Sequence, residues 1–289
     1  MTRITVDWPV SQHNGRQHQR SNGAPTEGPS HSISPPRSGP SPRRAVSCSG
    51  ADNVPHLATF ALIHGAWHGG WCWDRVAPRL RDAGHRVIAP DLPCDVVGAG
   101  AADYAAVVLD ALGTDPGGDV VVAAHSAGGL TAPLVAAEAG ARAVVLVSAL
   151  LPQPGGRFVE QNAEEHVLLA DYQAGVERDA EGRRVWTDAE LARDHLYNGC
   201  APEDAASAYA RLRPQASTIF SEISPAAAWP PATATVVDVR ATEDRIVSPQ
   251  WARVAVPQRL GLDSIVLEGV GHSPMLSHPG RVTEILLAA

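Results

Sequence analysis

Val120-Val121-Val122-Ala123-Ala124-His125-Ser126-Ala127-Gly128-Gly129 is an apolar run of strand length that passes into a helix-like stretch through a single serine. A strand that turns sharply into a helix around one serine presents the hydroxyl at the tip of the turn, the arrangement written G-x-S-x-G. Small residues are needed on both flanks because strand and helix approach closely there. Alanine stands at position 124 where that pattern has glycine, and it is the mildest departure. A serine capping an ordinary helix shares the bare pattern, so the reading depends on what surrounds it.

Outward from this stretch, short apolar runs at 57–63, 86–89, 119–124, 143–149, 235–240 and 264–267 alternate with helix-like stretches at 71–83, 103–112, 127–138, 251–259 and 279–287. Near-continuous apolar strands mark a parallel sheet covered on both faces. Their alternation with helices builds β-α-β units, hence a doubly wound α/β domain. The 80 residues 152–231 interrupt the rhythm without a convincing strand and are far too long for an ordinary connection. They are expected to form an inserted, mostly helical lid, between core segments 56–151 and 232–289. Residues 1–55 are rich in Pro, Ser and Gly and hold too little apolar surface to offset their ordering entropy, so a disordered tail is expected.

A serine hydroxyl is a weak nucleophile unless a positioned base takes its proton. Val270-Gly271-His272-Ser273-Pro274 follows the last expected strand. That places His272 on a loop at the carboxyl edge of the sheet, where Ser126 also sits and where open α/β sheets bind ligands. Three other histidines lie in the tail, His166 and His195 in the lid, and His125 is expected to point off the turn. An imidazole base needs a carboxylate to fix its tautomer. The strand 235–240 empties into Thr242-Glu243-Asp244-Arg245, so Asp244 is the expected partner and the chain order is Ser, Asp, His. Asp238 lies inside the strand and would point into a buried face. Glu243 is adjacent to Asp244, and spacing alone does not separate the two. A tetrahedral oxyanion needs preorganised N–H donors, expected from Ala127 and from Ala66 in the glycine-rich turn Ile63-His64-Gly65-Ala66-Trp67-His68-Gly69-Gly70-Trp71. His64 reads as a brace for that turn rather than a proton carrier.

Composition narrows the chemistry further. The 289 residues carry 23 basic against 31 acidic side chains, and every basic one is arginine. Without lysine, Schiff-base chemistry and a P-loop phosphate clamp are excluded. The tail holds six arginines against three acids, leaving 17 against 28 in the body, a poor match for nucleic acid or an anionic membrane. No apolar run approaches the roughly 20 residues of a membrane-spanning helix. Four scattered cysteines without a C-x-x-C pair read as reduced thiols, which suits a cytoplasmic protein. No metal or organic cofactor is implied. The expected partner is a small-molecule ester, with a homodimer left open.

The stretches 64–73, 124–129, 242–247 and 271–276, with the lid segment Leu196-Tyr197-Asn198-Gly199-Cys200-Ala201-Pro202-Glu203-Asp204-Ala205, resemble the α/β-hydrolase superfamily. The resemblance is closer to the branch of plant methylesterases and hydroxynitrile lyases and spans residues 57–289. It implies a sheet of about six strands, a Ser126, His272 and Asp244 triad and an acyl-enzyme. The lyases of that branch resemble one another in a threonine after the first-strand histidine and a lysine beside the catalytic histidine. Gly65 and Ser273 stand there, which favours hydrolysis. Trp67, Phe158, Trp186, Leu196 and Phe220 are expected to line an apolar pocket. No arginine stands out as an anchor for phosphate or a polyanion, so an uncharged ester, by analogy a methyl or aromatic one, is expected. Two rivals remain: a receptor on the same fold, which would bind without turnover, and an interaction protein docking through Pro35-Pro36-Arg37 and Pro40-Ser41-Pro42-Arg43.

Overall fold

Six strands run parallel in one sheet: β1 Ala58–Ile63, β2 Arg86–Ile88, β3 Asp119–His125, β4 Ala143–Val147, and, after a long intervening segment, β7 Thr235–Ala241 and β8 Ile265–Leu267. The computed structural model describes residues 57–230, 232 and 234–289; the expectations for the tail and its proline motifs lie outside them. The strand order is β2-β1-β3-β4-β7-β8. The chain therefore steps outward from β1 to β2, returns to β3 and then proceeds the other way. The reversal leaves the carboxyl ends of β1 and β3 side by side without a crossover between them, the place where such sheets hold ligands. β1 and β4 are buried along their whole length and β3 at all but its first residue, as a sheet covered on both faces requires. The helix Ala101–Leu112 covers one face by burying Ala101, Tyr104, Ala105, Val108 and Leu112, a single stripe at helical spacing.

Two expected helices are broken, each beside a proline. The stretch 71–83 is a 3₁₀ turn Gly70–Trp73 followed by a helix Ala77–Asp82, with Pro78 in the first turn of the latter. The stretch 127–138 is likewise a 3₁₀ turn Ser126–Leu130 and a helix Ala132–Glu138 that restarts around Pro133. Proline has no N–H for a bond to the preceding turn and clashes with the carbonyl there, so a helix begins at it rather than running through it.

The segment between β4 and β7 is not wholly helical. Alongside helices Phe158–Glu165, Ala189–His195 and Pro202–Tyr209, it contains an antiparallel ribbon of β5 Val176–Arg178 and β6 Arg184–Trp186. Its turn is organised by Asp179, whose Oδ1 accepts from the N–H groups of Glu181 and Arg183, and by Gly182 at φ +77°. A glycine three residues beyond an aspartate between two β-prone triplets is a hairpin signal. The strands are only three residues long, too short to show alternation. Residues 57–289 fall within a single compact unit.

β7 carries a charge pair inside the sheet. Asp238 accepts from Arg240 Nε and Nη at 2.8 and 2.7 Å and from Ser264 Oγ at 2.6 Å. Arg240 also donates to the Ala149 carbonyl at 2.7 Å. Both residues are buried, so each charge is stabilised chiefly by the other. Arg240→Met alone, which strands the carboxylate, is expected to cost about 3–5 kcal/mol, whereas Asp238→Leu with Arg240→Met together recovers most of it. Urea denaturation of the two variants measures the difference, and a single variant no less stable than the double one contradicts this account of the pair.

Candidate active site

Ser126 stands one residue past β3 with φ +51°, a left-handed backbone that few residues other than glycine adopt without strain. Three glycines make the turn sterically feasible. A Cβ on Gly65 would lie 2.7 Å from Ser126 Cβ, one on Gly128 would lie 2.8 Å from the His64 carbonyl oxygen, and one on Gly129 would lie 2.1 Å from that of Leu150. The Ser126 carbonyl in turn accepts from Leu150 N–H at 2.9 Å, which ties the turn to the end of β4. Ala124 lies between Ile63 and Leu146 in the sheet register and is fully buried. A methyl group is therefore accommodated where the sequence pattern has glycine.

The loop after β8 delivers His272 and the loop after β7 delivers Asp244. His272 Nε2 lies 3.1 Å from Ser126 Oγ, and Nδ1 lies 2.9 and 3.0 Å from the two Asp244 oxygens. With Nδ1–H facing the carboxylate, Nε2 is left as the acceptor of the serine proton. Asp244 is itself fixed by the N–H groups of Ile246 and Val247, which donate to Oδ1 at 2.8 and 2.9 Å. Of the other carboxylates weighed from sequence, Glu243 is exposed and Asp238 is bound to Arg240. Asn198 packs over the histidine loop, its side-chain amide donating to the Glu243 carbonyl at 2.7 Å and its backbone carbonyl so near Gly271 that a Cβ there would lie 2.2 Å from it.

The turn after β1 is held by its histidines. His64 Nδ1 donates to the Gly65 carbonyl at 2.8 Å, and Nε2 accepts from Leu92 N–H at 2.9 Å. In a trans peptide the carbonyl and the following N–H point in opposite directions, so holding the Gly65 carbonyl also aims the Ala66 N–H. His68 Nδ1 donates to the Ala66 carbonyl at 2.7 Å, and its Nε2 accepts from the Tyr197 hydroxyl at 3.1 Å. Trp67 follows at φ +63°. Its N–H donates to Gln215 Oε1 at 3.3 Å, its indole to the Arg184 carbonyl at 3.1 Å, and its carbonyl accepts from Arg213 N–H at 2.7 Å.

His125 does not simply point away, as the sequence suggests. It is fully buried, its Nε2–H donates to the His272 carbonyl at 2.9 Å, and its ring lies 4.8 Å from that of His272. Burial lowers the pKa of His64 to about 4 and of His68 to about 3, and pushes that of His125 well below the ordinary value. Desolvation of the cation is the largest cause in each. Neutral His125 thus lies against His272, with neutral His68 packed on its other side, ring centroids 5.9 Å apart.

Beside Ser126 opens a cavity of about 290 Å³, near the lower end of small-molecule sites. Of the side chains expected to line a pocket, Trp67, Phe158 and Phe220 border it, and so do Ala66 and Ala127. Trp186 and Leu196 do not. Trp186 stands behind the wall, its ring 5.8 Å from Trp67 and 6.2 Å from Tyr172. Leu196, at the end of helix Ala189–His195, is 1 % exposed and belongs to the core. The cavity instead draws on Tyr172, Leu168, Leu150 and Ile246 and, against expectation, on Arg178 and Arg184. The hairpin signal around Gly182 could have located the two arginines. No signal in the sequence marks the others, which come from connections between elements. Cys72, Cys94 and Cys200 are free thiols. Among the described residues no helix is long and apolar enough to cross a membrane, and no three His, Cys, Asp or Glu side chains are gathered around a metal-sized site.

Residues 60–285 match the model of the alpha/beta hydrolase family. Among characterised proteins the chain is similar to Esterase PIR7B of Oryza sativa subsp. japonica, 28 % identical over 251 residues covering 79 % of this chain and 94 % of that protein. It is similar also to Methylesterase 18 of Arabidopsis thaliana, 27 % identical over 252 residues covering 80 % and 96 %. Among solved structures it superimposes on polyneuridine aldehyde esterase with a TM-score of 0.65, at 22 % identity over 80 % of this chain and 98 % of that one. A pyrethroid hydrolase from Sphingobium faniae gives a TM-score of 0.60, at 23 % identity over 80 % and 96 %. With its parallel sheet, its serine turn after β3 and this match over most of its length, the chain belongs to the alpha/beta hydrolase family.

Proposed function

We propose that the protein is a serine carboxylester hydrolase acting on a small, largely apolar ester through a Ser126, His272 and Asp244 triad and an acyl-enzyme. The observation that carries this reading is the continuous chain from Asp244 through His272 to Ser126 Oγ, with links of 2.9 and 3.1 Å, opening onto a cavity whose walls include Trp67, Leu150, Phe158, Leu168, Phe220 and Ile246. The naming of the similar plant proteins as esterases supports the same reading.

His272 takes the hydroxyl proton as Ser126 Oγ attacks the ester carbonyl, and Asp244 stabilises the imidazolium that results. Neutral His125 beside it adds no opposing charge. The developing oxyanion is held by the N–H groups of Ala66 and Ala127, each typically worth about 2.7–4 kcal/mol. His64 serves this step from a distance by fixing the peptide that carries the Ala66 N–H. His272 then protonates the departing alcohol, and the same histidine activates a water that hydrolyses the acyl-enzyme. Residues 152–231 act as a lid, since Phe158, Tyr172, Arg184 and Phe220 from this segment cover the cavity above Ser126.

Cyanohydrin cleavage is disfavoured by two positions. Ser273 is buried at 1 % exposure, leaving no cation beside His272, and Gly65 admits no side chain without displacing Ser126. Hydrolysis of short p-nitrophenyl esters is expected from the full chain and absent on mandelonitrile. Ser126→Ala should reduce kcat by on the order of 10⁴–10⁶, and Asp244→Asn by about 10⁴ through the wrong imidazole tautomer. A folded protein that binds but does not turn over any of these esters would instead be a receptor.

The neutral histidines also set the acid stability. Their folded pKa values lie below the unfolded value of about 6.5, so the unfolded chain binds more protons between pH 6.5 and about 4. Their neutral burial is therefore favourable above pH 6.5, and stability falls as the pH drops through that window. Each of His64 and His68 should lose about 2 kcal/mol between pH 7 and 5, and His64→Gln should flatten the profile. Urea midpoints that stay level from pH 7 to 5 would contradict neutral burial of these groups.

A further inference from the structure

The ribbon that closes the cavity sets two arginines directly against each other. Arg178 and Arg184 are register partners in β5 and β6, and both line the cavity that contains Ser126. Directly opposed residues of an antiparallel pair project from the same face with Cβ atoms about 4.5–5.5 Å apart, and like charges so placed repel. No carboxylate among the described residues is paired with either. Asp179 and Glu181 of the same ribbon pair with Arg183, at 2.8 and 3.0 Å. Neither Arg178 nor Arg184 has an ion pair among the described residues, and none of the residues lining the cavity is acidic.

Their donors are mostly uncommitted. Arg178 gives one bond to the Gly182 carbonyl at 2.7 Å, and the Arg184 guanidinium lies beside the Tyr172 hydroxyl, whereas each guanidinium has five N–H groups. Ser217, on the same cavity wall, has a solvent-shielded hydroxyl without a partner among the described residues. The ribbon is also fixed relative to the turn after β1. Arg184 exchanges both backbone bonds with Gln215 at 2.8 Å, and its carbonyl accepts from the indole of Trp67, next to Ala66. A repelling, donor-rich pair at a fixed place in a cavity with no acidic side chain in its wall is what an anionic group on the ligand would neutralise.

We infer that the ester cleaved at Ser126 carries a second, oxyanionic group remote from the scissile bond, a carboxylate or a phosphate, which Arg178 and Arg184 hold. This rests on the hydrolase reading for the reaction but not for the binding. The physiological substrate class is then an apolar body with an ester at one end and an acid at the other, such as a half-ester of a dicarboxylic acid.

Calorimetric titration of the full-length Ser126→Ala protein with monomethyl succinate, adipate and suberate, each beside its dimethyl ester, tests it. At one chain length at least, the half-ester should bind about ten- to a hundredfold more tightly than the diester. That preference should weaken with salt, disappear when Arg178→Met and Arg184→Met are added, and return in part with Arg178→Lys and Arg184→Lys. Cooperative thermal unfolding of each variant shows that it is folded. Displacement of the half-ester by inorganic phosphate but not by acetate assigns the site to phosphate, and the reverse assigns it to carboxylate. Equal binding of half-esters and diesters, or a preference that survives loss of both arginines, overturns the inference. Hydrolysis of p-nitrophenyl esters without any half-ester preference leaves the hydrolase standing and removes the anion site. A half-ester preference in a chain that hydrolyses no ester does the opposite.

Discussion

The left-handed backbone of Ser126 is the constraint on which the site depends. A residue other than glycine held there costs about 1–3 kcal/mol and persists only where its surroundings leave no alternative. Here the surroundings are β3 on one side, the short 3₁₀ turn on the other, and the backbones of the β1 and β4 ends pressed against it. Gly65, Gly128 and Gly129 lack side chains because a Cβ on any of them would meet Ser126 or one of those backbones at less than van der Waals distance. The turn thereby lifts the hydroxyl out of the sheet and toward the histidine loop, while the strain is offset by burial along β1, β3 and β4. Stability of the sheet and presentation of the proposed nucleophile to the cavity are one arrangement seen from two sides.

The polar groups around that turn follow a consistent division. Those that hold backbone are neutral and buried: His64 and His68 fix two successive carbonyls, and His125 holds the carbonyl of His272. Burial removes their charge by making the cation costly. The carboxylate and imidazole assigned to chemistry are buried too, yet they face each other and the serine, so charge developed on one is met by the other. The structural pair Asp238 and Arg240 repeats the principle within β7, where a lone buried charge would be strongly unfavourable.

The inserted segment does more than cover the sheet. Gln215, Arg184 and Arg213 bind three different groups of Trp67, so the geometry of the turn after β1 depends on residues more than a hundred positions away. The same ribbon brings its two arginines to the cavity, which couples the aim of the Ala66 N–H to the element proposed to sort substrates by charge. A change in the ribbon would therefore be felt in the turn proposed to hold the oxyanion as well as in binding.

Much of this was legible in the chain. The apolar runs of β1, β3 and β4 are read directly because a strand buried on both faces must be apolar throughout, and Ser126 is read from its position where such a run meets small residues. His272 and Asp244 follow from their loops after the last two strands, since parallel strands all deliver their carboxyl ends to one edge. The choice of Asp244 over Glu243 was not legible: it turns on which of two adjacent side chains faces inward, a matter of loop conformation set by the N–H groups of Ile246 and Val247. The proline-induced breaks at 74–76 and 131 were visible as prolines but were outweighed by helical periodicity. The cavity walls were least legible. Trp186 and Leu196 are as apolar as Phe158 and Phe220, and only packing decides which stand in front. Sequence by itself determined the sheet, the order of its loops and the residue types at its edge, because these follow from periodicity and connection rules local to the chain. Tertiary structure alone decided how the inserted segment folds back, and with it the placing of the Arg178–Arg184 ribbon against the cavity and the turn after β1, because contacts between residues far apart in sequence leave no periodic trace in either partner.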